Sequence, residues 1–261
     1  MIPRNPNNRL HYVATVLLLA AIYVVGGRLG FTASAVHPVV SSAWPPSGIA
    51  LAALLLMGRR YWPAITLGAF VVNLTGGIVP IAAASIAVGN TLEAVVAVWL
   101  LTSFAGFRAS SEALRRLRNV LALAVLGAFV STAVSATIGV SVLTLYGGAP
   151  AISYGTAWLA WWTGDAIGIL LVTPLILAWT AEPPRRVPAR NTIEVSVLGL
   201  LLVAFTSVLF QAPFSYVYAI FPVTIWAALR FGPRGGDVDL RRVGARYLVH
   251  RGQRRSVRDF H

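Results

Sequence analysis

The sequence contains neither cysteine nor lysine. Without cysteine there can be no disulfide, no thiolate-held zinc or iron–sulfur cluster and no thiol nucleophile, and the redox compartment stays open. Histidine is scarce: the four, at positions 11, 37, 250 and 261, form no metal-ligand spacing. Charge is scarce as well, at 11% of 261 residues against about 25% in a soluble domain, while 57% of the chain is apolar and the mean hydropathy is +0.74. That balance excludes a water-soluble globule and leaves an integral membrane protein. Catalytic patterns are missing too. There is no His-Glu-x-x-His motif, no glycine-rich phosphate loop with lysine, and no Ser/His/Asp set at one depth, so no enzyme and no cofactor are expected.

What is present is a series of apolar runs. A spanning helix needs about 20 apolar residues, and eight candidates occur at 11–30, 46–58, 61–79, 82–104, 119–146, 156–180, 193–212 and 215–231. The expected fold class is therefore all-α, a polytopic transmembrane helix bundle of about eight spans. All 21 basic residues are arginine, and with a cytoplasmic N-terminus 20 of them fall on the inner side, leaving only Arg28 outside. By the positive-inside rule both termini are cytoplasmic. The net charge of +13 thus reads as an orientation signal with some attraction to anionic lipid, and no nucleic-acid partner is expected.

The first run could instead be a cleaved signal sequence, because Arg4 and Arg9 precede it and Ala33-Ser34-Ala35 resembles a cleavage site. Arg28 between the apolar run and that site argues against it. The organisation expected is a short cytoplasmic N-terminus (1–10), a membrane domain (11–234) and a basic tail (235–261). The tail carries seven arginines and three aspartates and has no apolar run, so it reads as solvated and unstructured.

Two carboxylates fall well inside the expected spans, Glu93 and Asp165. An ionised side chain at the bilayer centre costs at least about 2.5–3.5 kcal/mol, so both should face the bundle interior. At about 1.5 Å per residue they lie roughly 17 Å and 14 Å into their helices. Asn73 and Asn90 reach comparable depth, and Asn90 shares a helix face with Glu93. One polar cluster in the outer half of the bundle is the expectation. Arg28 either pairs with one of these acids or snorkels to the outer headgroups. Trp161 and Trp162 either wall a pocket around Asp165 or belong, like Tyr61, Trp62 and Trp158, to an interfacial belt. Pro174 should kink its helix.

Several ordered motifs resemble one family. They are Trp44-Pro45-Pro46-Ser47-Gly48, Gly58-Arg59-Arg60-Tyr61-Trp62-Pro63, Leu67-Gly68-Ala69-Phe70 with Asn73, Gly89-Asn90-Thr91-Leu92-Glu93-Ala94, Trp162-Thr163-Gly164-Asp165-Ala166-Ile167-Gly168 with Pro174, and Trp226 to Gly235. The chain is similar over residues 10 to 235 to the bacterial membrane-associated sensor domain, type one, of the MASE group. The resemblance implies a multi-helix sensory module of the bacterial inner membrane, usually fused to a histidine kinase or a cyclic-di-GMP enzyme. It places the family's polar motif residues at Asn73, Asn90, Glu93 and Asp165.

The functional expectation is a module that perceives a small ligand or membrane state, its partners being the lipid bilayer, that ligand, and a cytoplasmic signalling domain or a second copy. A secondary transporter with an intramembrane carboxylate is the alternative. After Arg234-Gly235 the arginine-rich tail departs from the family pattern, and a shifted reading frame or truncation is the expected reason.

Overall fold

A computed structural model describes residues 6–32, 43–109, 113–146 and 153–180. All of them belong to the first of two units, Met1–Glu182. The expected spans at 193–212 and 215–231 and the basic tail lie outside the described residues, as does any location of the two termini.

The described residues are helical, with no strand among them. The helices are α1 (Pro6–Thr32), α2 (Pro45–Met57), α3 (Trp62–Thr75), α4 (Pro80–Phe104), α5 (Leu117–Ala122), α6 (Thr132–Leu145) and α7 (Tyr154–Thr180). Proline sets three of the starts. Pro45 and Pro46, Pro63 and Pro80 occupy the first helical positions of α2, α3 and α4, where a missing N–H costs nothing and the fixed φ is already helical. Gly58, at φ 96°, ends α2 and lets the chain turn through Arg59–Tyr61 into α3.

Four stretches are long and apolar enough to cross a membrane: Arg9–Phe31, Pro80–Phe104, Leu117–Leu145 and Tyr154–Ala178. The segments expected to span at 46–58 and 61–79 form helices of only 13 and 14 residues. Each is about 20 Å long, short of a hydrocarbon core of about 30 Å. Pro45-Pro46 and Gly58 bracket α2 tightly, and Gly76-Gly77 closes α3. The span expected at 119–146 runs from α5 to α6 through a π-helical stretch, Leu123–Val130, which no sequence pattern announced. Helix α7 continues through Pro174.

Helix α2 packs against α7, α1 and α4, while α3 lies between α1 and α4, and α6 between α4 and α7. The α2–α7 seam is the tightest. Gly48 and Gly168 face each other so closely that a Cβ on Gly168 would collide with the Trp44 carbonyl, and one on Gly48 with the Gly168 carbonyl. Backbone and side-chain bonds run along the same seam. The Trp44 N–H donates to the Gly164 carbonyl (2.9 Å), and the Thr173 hydroxyl donates to the Gly48 carbonyl (3.1 Å).

The outer surface is apolar. Leu10, Val13, Leu17, Leu18, Val25 and Leu29 on α1, and Leu159, Leu171 and Leu175 on α7, are exposed. In water such contiguous apolar surface would be a liability; in a bilayer it is the lipid-facing side. Tyr61, expected in an interfacial belt, is instead buried, with the Tyr12 ring 5.3 Å away and the Arg60 guanidinium over its face at 4.9 Å. Trp62 stays half exposed.

Candidate functional site

The interior contains few polar side chains, and the helices bring several of them to one place. Glu93 lies 13 residues into α4 and Asp165 11 residues into α7, about 20 Å and 17 Å from the starts of their helices. Each retains 1% of its exposure. The Glu93 carboxyl sits against Asp165, Ser47 and Ser135, and Asp165 in turn against Glu93, Ser47, Ser135 and Trp161. Four helices therefore contribute: α2 with Ser47, α4 with Glu93 and Asn90, α6 with Ser135, and α7 with Asp165 and Trp161.

Hydrogen bonds fix this arrangement. The Ser47 hydroxyl donates to Asp165 Oδ1 at 3.1 Å. The Ser135 hydroxyl donates to Asn90 Oδ1 at 2.8 Å and accepts from Trp161 Nε1 at 3.1 Å, so one serine links α4, α6 and α7. The Trp161 ring lies directly over Gly139 of α6, where a side chain would strike it. Ser135→Ala removes both bonds and leaves a buried amide oxygen and an indole N–H unpaired. We expect a loss of about 1–3 kcal/mol, read as an earlier unfolding transition in detergent, with Ser135→Thr closer to the parent protein. Equal stability of the alanine variant and the parent would show that the linkage contributes nothing.

A fifth helix reaches in through Tyr23 of α1, which is 98% buried. Gly68 of α3 makes this possible, because a Cβ there would come within 2.7 Å of the Tyr23 Cβ. The Tyr23 hydroxyl lies beside Trp44 and Asn90 and within the electrostatic reach of Glu93 and Asp165. Four buried side-chain atoms among the described residues lack a hydrogen-bond partner: Tyr23 Oη, Glu93 Oε2, Asp165 Oδ2 and Asn119 Oδ1. Three of these four belong to this one cluster. Native interiors satisfy nearly all such atoms, so their concentration is informative.

The expected site residues divide cleanly. Glu93, Asp165 and Asn90 meet, and Trp161 joins them through Ser135. Arg28 does not: it is exposed on α1, and among the described residues no ion pair connects it to either acid. Asn73 is buried, but its side-chain amide donates to the Ala69 carbonyl of its own helix at 2.8 Å. Trp162 turns to the outside of the cluster. Its Nε1 donates to the Phe129 carbonyl at 2.8 Å, and its ring stacks on Trp158 with centroids 6.0 Å apart.

Ser47, Ser135 and Tyr23 were not among the expected residues. Ser47 had a usable signal in its place between Pro45-Pro46 and Gly48. Ser135 and Tyr23 had none, since a lone serine or tyrosine within an apolar run does not show which way it faces. No group of three or more His, Cys, Asp or Glu side chains occurs among the described residues.

Helices with lipid-facing leucines outside and a shared acidic cluster within define an integral membrane bundle with an interior polar site. The family model of MASE1 matches residues 15–238, most of the chain. The chain belongs to the MASE1 family of membrane sensory domains. No curated protein and no solved structure matches it.

Proposed function

We propose that this bundle is the sensory part of a signalling system in the bacterial inner membrane, and that Glu93 and Asp165, with Asn90, Ser47, Ser135, Tyr23 and Trp161 around them, form the place where the signal is perceived. The observation that carries this reading is the meeting of two acids from different helices in an interior that holds three unpartnered oxygens. Polar groups in a membrane interior cost stability, and a purely structural cluster would be expected to close on itself. Asn73, Arg28 and Trp162 fall outside the site and keep structural or interfacial roles in this reading.

A ligand acts only through its different affinity for two packings of the helices. Because Ser135, Asn90 and Asp165 link three helices, a change of partner at the cluster alters α4, α6 and α7 together. The change would pass to a cytoplasmic output, a histidine kinase or a cyclic-di-GMP enzyme, with both termini on the inner face as the arginine distribution indicates.

The test is a chimera carrying the chain ahead of a reporter output domain. Glu93→Gln keeps size and membrane insertion, and its expected result is an output fixed at one level where the parent output varies with growth condition. An unchanged response in a variant present at normal level in the membrane would confine Glu93 to packing. Solute uptake into proteoliposomes that depends on Glu93 would replace the sensor reading with a transporter.

A further inference from the structure

The last turns of α2 and α4 border one cleft of about 340 Å³, at the lower end of the size range of small-ligand sites. Its floor is apolar, with Leu54 of α2, Val98 of α4 and Phe107 beyond α4 all buried. Its rim is cationic, because Arg59 and Arg108 both line it and both are exposed. Two glycines with positive φ make this possible. Gly58, at φ 96°, ends α2 just before Arg59. Gly106, at φ 60°, turns the chain after α4, so that the Phe107 N–H donates to the Leu101 carbonyl (2.9 Å) and Arg108 stays at the mouth.

The charge at the mouth is not balanced from within. Among the described residues the carboxylates are Glu93 and Asp165, both buried in the acid cluster, so no described side chain of opposite charge reaches Arg59 or Arg108. The adjacent Arg60 is different: its guanidinium donates to the Tyr61 hydroxyl at 3.2 Å and lies over that ring. A helix C-terminus presents about half a negative charge, so the ends of α2 and α4 offset about one of the two guanidinium charges and leave about one positive charge over. The Thr102 hydroxyl donates to the Val98 carbonyl of its own helix at 2.7 Å, which leaves the guanidinium groups as the donors of the rim.

The occupant this calls for carries one negative charge, several acceptor oxygens and an apolar part. A guanidinium fork pairs well with phosphate oxygens. A free phosphate monoester bears closer to two charges and has nothing to lay on Leu54, Val98 and Phe107. A carboxylate from a protein would bring backbone N–H and C=O groups against that floor, where they find no partner. A phospholipid diester has the single charge and the acyl chains together. Met57 and Phe104, exposed at the same helix ends, continue the apolar surface beside the cleft. The arginine distribution reads this end of the bundle as the cytoplasmic one, which sets the cleft at the headgroup level of the inner leaflet.

We infer that the cleft between the ends of α2 and α4 binds the phosphodiester of an anionic glycerophospholipid of the inner leaflet, with Arg59 and Arg108 on the phosphate. The site shares two helices with the acid cluster but none of its residues, and it stands whether or not that cluster perceives a signal.

The experiment follows thermal unfolding of the full chain in a non-ionic detergent, with phosphatidylglycerol or phosphatidylcholine added. The expected result is an unfolding temperature that climbs with phosphatidylglycerol at concentrations where phosphatidylcholine has no effect, because a ligand of the folded state stabilises it by mass action. Arg59→Gln and Arg108→Gln should each unfold with the parent when no lipid is added. Each should need at least about tenfold more phosphatidylglycerol for the same rise, the factor expected for one charge-assisted hydrogen bond. Arg118→Gln is the control: it removes the same charge from an exposed position on α5 that does not line the cleft. Its shift should stay below about fivefold, the scale of general attraction to an anionic surface.

Equal responses to the two lipids overturn the inference, as does an Arg118→Gln shift as large as those of the cleft variants. Soluble glycerol phosphate that reproduces the stabilisation at the same concentration overturns the assignment to a lipid.

Discussion

Gly168→Ala is expected to destabilise the bundle by about 3 kcal/mol, the upper part of the range for overpacking a well-filled interior. The added methyl would overlap the Trp44 carbonyl oxygen and lie 2.6 Å from its carbon. These are backbone atoms, held by the Trp44 N–H to Gly164 bond on one side and the proline-started helix on the other, so no rotamer change makes room. Gly48→Ala meets the same obstacle from the opposite helix, with the Gly168 carbonyl and the Val172 Cβ in the way. Gly155→Ala is the control, since nothing lies within 4 Å of the position its Cβ would take. Loss of helical circular dichroism on heating in detergent ranks the three variants. If both seam variants melt with the parent protein, the close approach of α2 and α7 is not what holds them together.

The double variant Glu93→Gln/Asp165→Asn should behave in the opposite way. Replacing a buried ionic group by a neutral one of similar volume is often neutral or stabilising by about 1–4 kcal/mol. A new amide N–H at position 165 can donate to the Ser47 oxygen, which lies at hand. The double variant should therefore unfold at or above the temperature of the parent protein, while its chimera loses response to the signal. Retained stability with lost response is the signature of groups kept for function at a cost to the fold. A variant less stable than the parent by more than about 2 kcal/mol, on the scale of an unsatisfied buried polar group, would instead make the acid pair structural.

Much of this was legible in the sequence. The scarcity of charge and the apolar runs gave the class, whereas the helix starts at Pro45, Pro63 and Pro80 emerged only with the structure, although proline at a first helical position is a signal the chain carries. Glu93 and Asp165 stood out because an acid within an apolar run has few places to go, and Asn90 followed by helical spacing from Glu93. Helix lengths were harder. A run such as 61–79 reads as one span by hydropathy, but the turn at Gly76-Gly77 shortens it, and hydropathy does not register backbone turns. The π-helical stretch Leu123–Val130 left no trace, since its residues are apolar whichever helix they form. The site's neutral members were hidden for a related reason: whether Tyr23 or Ser135 faces inward depends on gaps such as those left by Gly68 and Gly139 on neighbouring helices. Arg28 was open between pairing with one of the acids and reaching the outer headgroups, and the structure leaves it exposed on α1, away from the acids.

The α2–α7 seam also limits how the bundle can move. Contacts from Trp44 to Gly48 grip α7 from Gly164 to Thr173, a length of about 13 Å at helical rise, through backbone atoms as well as side chains. Neither helix can twist about its own axis without driving a carbonyl into the other. The pair must swing as one stave, so slippage inside the barrel is confined to the joints with α1, α4 and α6. Those are the joints that Tyr23, Glu93 and Ser135 occupy.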